Sequence, residues 1–535
     1  MEERADHSDD FEKGIYFDIL KEELPMKSYV SRGDTRDEID IVGPHQNADR
    51  AIERAIRFTL KDNRTRFQPV LGSAGLGKTH LFWVLKDQED EVGHQGYLAV
   101  YVPSPPAPVR VPLHFHACLV DEAGDDIFEK AVDMLITRFG GVKGSTHEQM
   151  DFSYAMDRLL GEYPGISADV VTVLLRYRLD PDLKHLARRW LFGNSLSEEE
   201  IEKLGVRTIL EEDDVTLATL RLLAEGYNKP ILLFVDEMEG PYNTHGEEGE
   251  RHFLEVIKRL YNECKNMVIV ASCLTEIWDR IYNIADAPMR SRMEVPANLR
   301  PFTKEDVVEF VKKTMEDYWQ QQNVVAPPDP IFPFTEDDLD EVFVESQGVP
   351  REAIKRLIPK LDSIVYDRAP VEPEPQPDYV IKLTSTTVLG AIMAGLQEAS
   401  REIGAEVRLV VEADDSSSAS SAVLEVTKDS SKTKLCIDVP NVRDWDRSGG
   451  VAAYYSAKRV KDQLDAGGAQ MGIIAIPEAT GGAKFQAHVD EMGDAIEVLR
   501  MDKDGATALV ELSHGKDLKP ELRTLLTSII ERLIE

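Results

Sequence analysis

The chain has 535 residues, 42% hydrophobic and 30% charged, too long for one hydrophobic core, so about two to four domains are expected. Its 97 acidic against 62 basic residues leave a formal charge of -35. Such a chain repels nucleic acid on average and confines any DNA contact to a local basic patch, although solvation in a salty cytoplasm accounts for the charge equally well.

No apolar run reaches the about 18 residues of a membrane span, and the charged start MEERADHSDDFEKG does not read as a secretory signal. Cys118, Cys264, Cys273 and Cys436, without CxxC spacing, read as reduced thiols of a cytoplasmic protein. Residues 1–40 are polar and acidic and are expected to be a flexible or loosely docked leader. From Ile41 to Gly124 strand and helix patterns alternate: a strand at Gln68–Leu71, a helix over Lys78–Lys86, a strand at Tyr97–Val102, then a loop through the proline-rich Pro103–Pro112. Residues 126–226 have helical period, with Ser197 and Glu200 placed as a capping box.

Ile231–Val235 and Met267–Ala271 are continuous apolar runs, as parallel strands buried on both faces require. Strands separated by helices predict a parallel sheet with right-handed crossovers. Helices at Lys304–Gln320, Glu336–Ser346 and Pro350–Tyr366 predict a small helical domain over 301–368. The alternating prolines of Ala369–Asp378 then mark a linker to a separate α/β domain at 379–535. That domain reads as helix Thr387–Ile403, strands Val407–Glu412, Ala422–Thr427 and Lys434–Val439, helix Val451–Ala466 and strand Met471–Ile476. The serine tract at 416–421 reads as a hairpin loop.

Gly72-Ser73-Ala74-Gly75-Leu76-Gly77-Lys78-Thr79 fits GxxxxGK[ST] between a strand and a helix. The glycines let backbone N–H groups converge on the phosphates of ATP, at the positive end of the following helix. Lys78 then supplies charge to the β- and γ-phosphates, and the Thr79 hydroxyl is a ligand for Mg2+. Ile231–Val235 runs into Asp236-Glu237. A carboxylate ending a buried strand beside the phosphate loop can hold the metal's water shell, the role assigned to Asp236. Glu237 can orient and polarise the attacking water, since phosphoryl transfer depends on positioning and charge stabilisation.

Val42-Gly43-Pro44 ahead of the phosphate loop, the Asp-Glu strand and Met267–Ser272 together resemble AAA+ ATPases of the origin-recognition, Cdc6-like branch. The resemblance spans roughly residues 40–366. It implies an AAA+ domain over 41–300 with a helical insertion at about 126–226, and a helical lid over 301–368. It also implies Val42 and Gly43 at the nucleotide, and Ser272 as the residue sensing the γ-phosphate, with Cys273 or Thr275 as alternatives. Arg290 or Arg292 in Met289–Met293 becomes the arginine finger of a neighbour's site, so a homo-oligomer or hetero-complex is implied. Arg351 in Gly348-Val349-Pro350-Arg351 becomes the lid's own sensor.

The chain departs from that branch in its long span from Thr79 to Asp236 and in lacking a winged-helix pattern after the lid. Leu186–Gly193, with Leu204–Val206 and Glu225–Tyr227, is similar to the ATP-binding component of phage-resistance loci of the BREX type.

The C-terminal order resembles a restriction-endonuclease-like core, which needs an acid and an Asp/Glu-x-Lys on neighbouring strands. Asp438 is followed by Val439-Pro440, with proline in the lysine's place. Glu425 and Lys428 are one residue too far apart and point to opposite faces. A nuclease-like fold without nuclease activity is therefore expected, and the helix bearing Lys458, Arg459 and Lys461 reads as a solvated face. Three functions stay open: a nucleotide-driven, DNA-associated machine of genome maintenance or anti-phage defence; an ATP-gated scaffold or signalling protein that never touches DNA; and an ATP-dependent nuclease.

Overall fold

Two five-stranded sheets organise the chain. The computed structural model describes residues 14–534 apart from 37–38, 90–95, 106–107, 140–155, 159, 162–166, 195, 209, 371–372, 374–380, 411–420, 430, 443–444, 513–515 and 517–518. Most of the expected linker, 371–372 and 374–378, and the serine tract up to 420 lie outside the described residues.

The first sheet holds β1 (Arg66–Leu71), β2 (Leu98–Val102), β3 (Ile231–Val235), β4 (Met267–Cys273) and β5 (Ala297–Asn298). They are all parallel, in the order β2-β3-β4-β1-β5. This is the parallel sheet of strands separated by helices expected from the sequence. Side chains alternate along each strand. Leu233, Val235, Ile269 and Ala271 face a core completed by the helices of the insertion and by helix Gly240–Glu263. Leu232, Phe234, Val268 and Val270 face the helices Gln46–Asp62 and Lys78–Asp87. With both faces covered, β3 and β4 are buried at every position, which is why they read as unbroken apolar runs.

The insertion is helical, and Ser197 and Glu200 form the expected reciprocal cap. The proline-rich loop ends sooner than its composition suggests. Val111 opens the helix Val111–Ala123, with Pro112 in its first turn, where a missing N–H leaves no bond unmade.

The lid comprises helices Lys304–Gln321, Glu336–Ser346 and Pro350–Tyr366. The leader departs from its expected looseness, because residues 14–22 are helical and complete the lid's core. Leu20 is buried there, Tyr16 meets the Trp319 ring edge-on at 5.3 Å, and Tyr318 Oη donates to Glu23 O at 2.7 Å. Its apolar positions Tyr16, Phe17, Ile19 and Leu20 gather on one side of a short helix inside an acidic segment, where composition hides them.

At the lid's entry Gly348 sits at φ 72°, and an added Cβ would lie 2.4 Å from Phe302 O. Gly348→Ala therefore combines a left-handed backbone with a backbone clash, and is expected to destabilise by about 1–3 kcal/mol. A thermal melt of this variant with an unchanged midpoint would contradict that.

The second sheet, in the order β10-β9-β8-β7-β6, holds β6 (Glu406–Val410), β7 (Ala422–Lys428), β8 (Ser431–Asp438), β9 (Met471–Pro477) and β10 (Ile496–Met501). β6, β7 and β8 pair antiparallel, whereas β8, β9 and β10 pair parallel. Helices Ser385–Glu402 and Pro520–Ile534 cover one face, and Gly450–Asp465 and Ala483–Met492 the other. This mixed α/β domain docks on the insertion: Val451 N donates to Leu196 O at 3.2 Å, and Asn441 N to Glu211 Oε1 at 2.8 Å.

Candidate active site

The register of the first sheet assembles the site. Val70 of β1 lies opposite Ser272 of β4, and Val235 of β3 opposite Ala271. The ends of β1, β4 and β3 thus stand side by side, and the residues that follow them meet. Gly72 N donates to Cys273 O at 3.2 Å, pinning the start of the phosphate loop to β4. Gly75 and Gly77 take φ values of 77° and 87°, a region open to glycine. The loop thereby reverses into helix Lys78–Asp87, whose first N–H groups face the bend. Lys78 Nζ reaches back across the loop to Gly72 O at 3.0 Å. Two left-handed glycines, a lysine spanning the bend and a helix N-terminus fit a triphosphate.

Asp236 is buried at the end of β3 and held by four groups. Thr79 Oγ1 donates to its Oδ2 at 2.7 Å and Tyr101 Oη at 3.0 Å, while Ser272 Oγ and Glu237 N donate to its Oδ1. Thr79 and Asp236, the two residues expected at Mg2+, are therefore in direct contact. A hydroxyl and a carboxylate are oxygen donors, as a hard cation requires. Ser272 lies between the phosphate loop and Asp236, where β4 separates β1 from β3.

Glu237 is exposed and adopts φ 55°, a strained position for a non-glycine residue. The strain is held from both sides. Glu237 N contacts Asp236 Oδ1 at 3.1 Å and Ser272 Oγ at 3.3 Å, and Met238 N donates to Ser272 O at 3.0 Å. Such enforced strain is concentrated at functional sites.

Two residues reach the site without having been singled out in the sequence. Tyr101 comes from β2, next to β3, and a tyrosine near the end of the neighbouring strand was the available signal. Glu239 is 7% exposed, and among the described residues its Oε2 has no hydrogen-bond partner. Burial raises its carboxyl above the ordinary range, against the opposing charge of Lys78.

Loop, acids and lid enclose a cleft of about 400 Å3. Arg351 lines it, donates from its backbone N to Gly75 O at 3.2 Å, and packs so close that a Cβ on Gly75 would lie 3.0 Å from its own Cβ. The far wall comes from residues 25–31 of the leader, with Ile39, Ile41, Pro44 and His45. Val42 and Gly43 do not line it. Val42 is half exposed, and Gly43 abuts the Arg300–Asp306 pair. Arg290 and Arg292 also lie outside this cleft, near the rings of Tyr282 and Tyr261 at 5.7 Å each.

No protein-family model matches the chain, and no curated protein does. Among solved structures, it is similar to the Walker-type ATPase paby2304 of Pyrococcus abyssi, with 14% identity over 70% of this chain and 79% of that one, at a TM-score of 0.31. The Aeropyrum pernix Orc1 protein in complex with DNA gives 13%, 76%, 95% and 0.33 for the same quantities. The Aeropyrum pernix ORC2 protein gives 10%, 94%, 96% and 0.33. Similarity this distant carries no residue roles, and the site's chemistry rests on its own geometry.

The second acidic centre is differently built. Asp438 is fully buried and accepts from Arg110 Nη2 at 3.0 and 3.1 Å, from Arg459 Nε and Nη2 at 2.9 Å each, from Ser421 Oγ at 2.6 Å and from Ser456 Oγ. Burial alone would raise its carboxyl, but the two guanidiniums hold it well below the usual range. Arg459 also pairs with Glu211 of the insertion at 2.7 Å. Its helix is thus no uniformly solvated face, because Arg459 turns inward while Lys461 pairs at the surface with Asp465. Arg110 reaches Asp438 from the loop before Val111, so this carboxylate joins the C-terminal domain to the first.

Proposed function

We propose that this chain binds and hydrolyses ATP at the Gly72–Thr79 loop, with Asp236 and Glu237 as the working acids. The observation that carries this reading is the 2.7 Å contact between Thr79 Oγ1 and Asp236 Oδ2, which joins the two halves of a phosphate and metal site across 157 residues. Lys78 and the loop amides bind the triphosphate. Thr79 and Asp236 would hold Mg2+, which would supply positive charge to offset that of the phosphates. Ser272 fixes Asp236, and from that position is the candidate γ-phosphate sensor. Glu237 accepts a hydrogen bond from the attacking water and turns it towards phosphorus. Arg351 links the lid to the loop, so lid position follows the nucleotide. Arg290 and Arg292, outside their own cleft, suit action on a neighbouring subunit's nucleotide.

Lys78→Ala is expected to lower ATP affinity at least about 100-fold, since a lysine–phosphate contact involves charge-assisted bonds of roughly 1.5–3 kcal/mol each. Titration calorimetry measures this, and unchanged affinity would refute the assignment of the loop.

A DNA-associated role is the wider reading, with the C-terminal domain as a nuclease-like fold that no longer cuts. The consumed state of Asp438 supports the loss of cutting. The acidic balance supports the alternative of an ATP-gated scaffold. ATP hydrolysis measured with and without duplex DNA across a salt series separates the two. The DNA reading requires stimulation that weakens as salt rises, and a flat response selects the scaffold.

A further inference from the structure

We propose that Asp40, His45 and His80 form a binding site for one divalent first-row transition cation, built into the wall of the nucleotide cleft and separate from the Thr79–Asp236 pair. One ligand atom from each residue converges, all within 4.8 Å of one another. His45 Nε2 lies 2.7 Å from Asp40 Oδ1, and His80 Nε2 lies 3.1 Å from the same oxygen.

The other nitrogen of His45 is engaged. Nδ1 lies 2.7 Å from Asp49 Oδ2, one helical turn further on. If Nδ1 carries the hydrogen for Asp49, a neutral ring turns its Nε2 lone pair towards the Asp40 carboxylate. Without a metal the same contacts are made by ring N–H groups donating to the two carboxylates, so a cation at the centre takes the place of the protons on the two Nε2 atoms. A carboxylate behind a ligating histidine is also the support that fixes its tautomer and raises its basicity in metal sites.

Size and donor chemistry agree. Metal–ligand bonds of about 2.0–2.1 Å place neighbouring donors about 2.8–3.0 Å apart in octahedral and about 3.3–3.4 Å apart in tetrahedral geometry, a span of about 2.8–3.4 Å. The His80–Asp40 separation already falls there, and the His45–Asp40 pair need open by only a few tenths of an ångström. Two imidazoles and one carboxylate suit zinc, cobalt or nickel, whereas magnesium and calcium prefer oxygen alone. His45 is 5% exposed, and Asp40 and His80 are partly exposed, so the further coordination positions fall to water.

The three residues come from three segments. Asp40 ends the leader, His45 immediately precedes helix Gln46–Asp62, and His80 lies in the first turn of the phosphate-loop helix. Lys313 Nζ of the lid also donates to Asp40 O at 2.9 Å. A cation here ties leader, lid and phosphate loop together at the cleft.

The test uses the full chain without a histidine tag, stripped with chelator and then titrated with Zn2+ or Co2+. One equivalent of zinc should survive dialysis, and Co2+ should give visible d–d absorption of a low-coordinate nitrogen–oxygen site. His80→Ala should lose both while keeping the circular dichroism of the unaltered chain. The buried His45→Gln serves as a second variant, scored only if its melt stays cooperative. Asp49→Asn should weaken zinc binding about 10–100-fold yet still saturate at one equivalent, an effect a metal-free ion-pair cluster would not give. Lys78→Ala should retain the zinc, separating this site from the ATP site. Uptake below a tenth of an equivalent by the unaltered chain, or equal uptake by His80→Ala, overturns the proposal and leaves a proton-bridged Asp–His cluster.

Discussion

Glu237→Gln is expected to bind ATP as tightly as the unaltered chain and to hydrolyse it about 10²–10⁴-fold more slowly, the range for loss of a positioned general base. The amide keeps the size and the left-handed backbone of the glutamate, which is fixed through main-chain contacts to Asp236 and Ser272. Only the negative charge and the ability to accept the water's proton are lost. Phosphate release in a single turnover, with bound nucleotide measured in parallel, separates chemistry from binding. Glu239 provides the internal control, because its carboxyl is buried, close enough to feel the charge of Lys78, and biased towards the protonated form by burial. A Glu237→Gln chain that turns over normally, beside a Glu239→Gln chain that does not, would move the base to Glu239. If both remain active, neither acid positions the water.

The meeting of the phosphate loop and Thr79 with Asp236 was legible because strand ends in a parallel sheet fix their neighbours, whereas Ser272 was named through the family resemblance alone. A glycine-rich turn after one buried strand and acids after another can meet only at the same edge. Arg351 was singled out only through the resemblance of Gly348–Arg351 to a family motif, and the structure places it at the wall of the cleft. The far wall of the cleft was not legible. Residues 25–31 line it as an irregular segment, with neither helical nor strand period to betray a contact far along the chain. Val42 and Gly43 were expected at the nucleotide, but it is their neighbours Ile41, Pro44 and His45 that line the cleft. Val42 lies in a bend and Gly43–His45 in a turn, where neighbouring residues face different ways, and motif matching does not resolve it. Arg459 was misread because three basic residues in four positions look like a solvated face. Its true partners, Asp438 and Glu211, lie on a different strand and in a different domain.

Asp438→Ala is expected to cost about 3–5 kcal/mol, the penalty of leaving buried charge without its partner. Two guanidiniums converge on that one carboxylate. Arg459 would retain Glu211, but Arg110, only 1% exposed, would lose the carboxylate that both its close Nη2 contacts meet. Arg110→Met should cost less, because Asp438 keeps Arg459, Ser421 and Ser456, and its effect should appear chiefly as looser docking between the first-sheet and C-terminal domains. Urea unfolding of both variants, read with limited proteolysis of the domain junction, measures the order of the two losses. An acid retained for metal-dependent cutting should behave in the opposite way, since removing a strained functional carboxylate is commonly neutral or stabilising. The same comparison settles the nuclease question. The intact chain should leave supercoiled plasmid uncut with Mg2+ or Mn2+, and cleavage that disappears in a still-folded Asp438→Ala chain would show that the two arginines guard a working centre instead of replacing one.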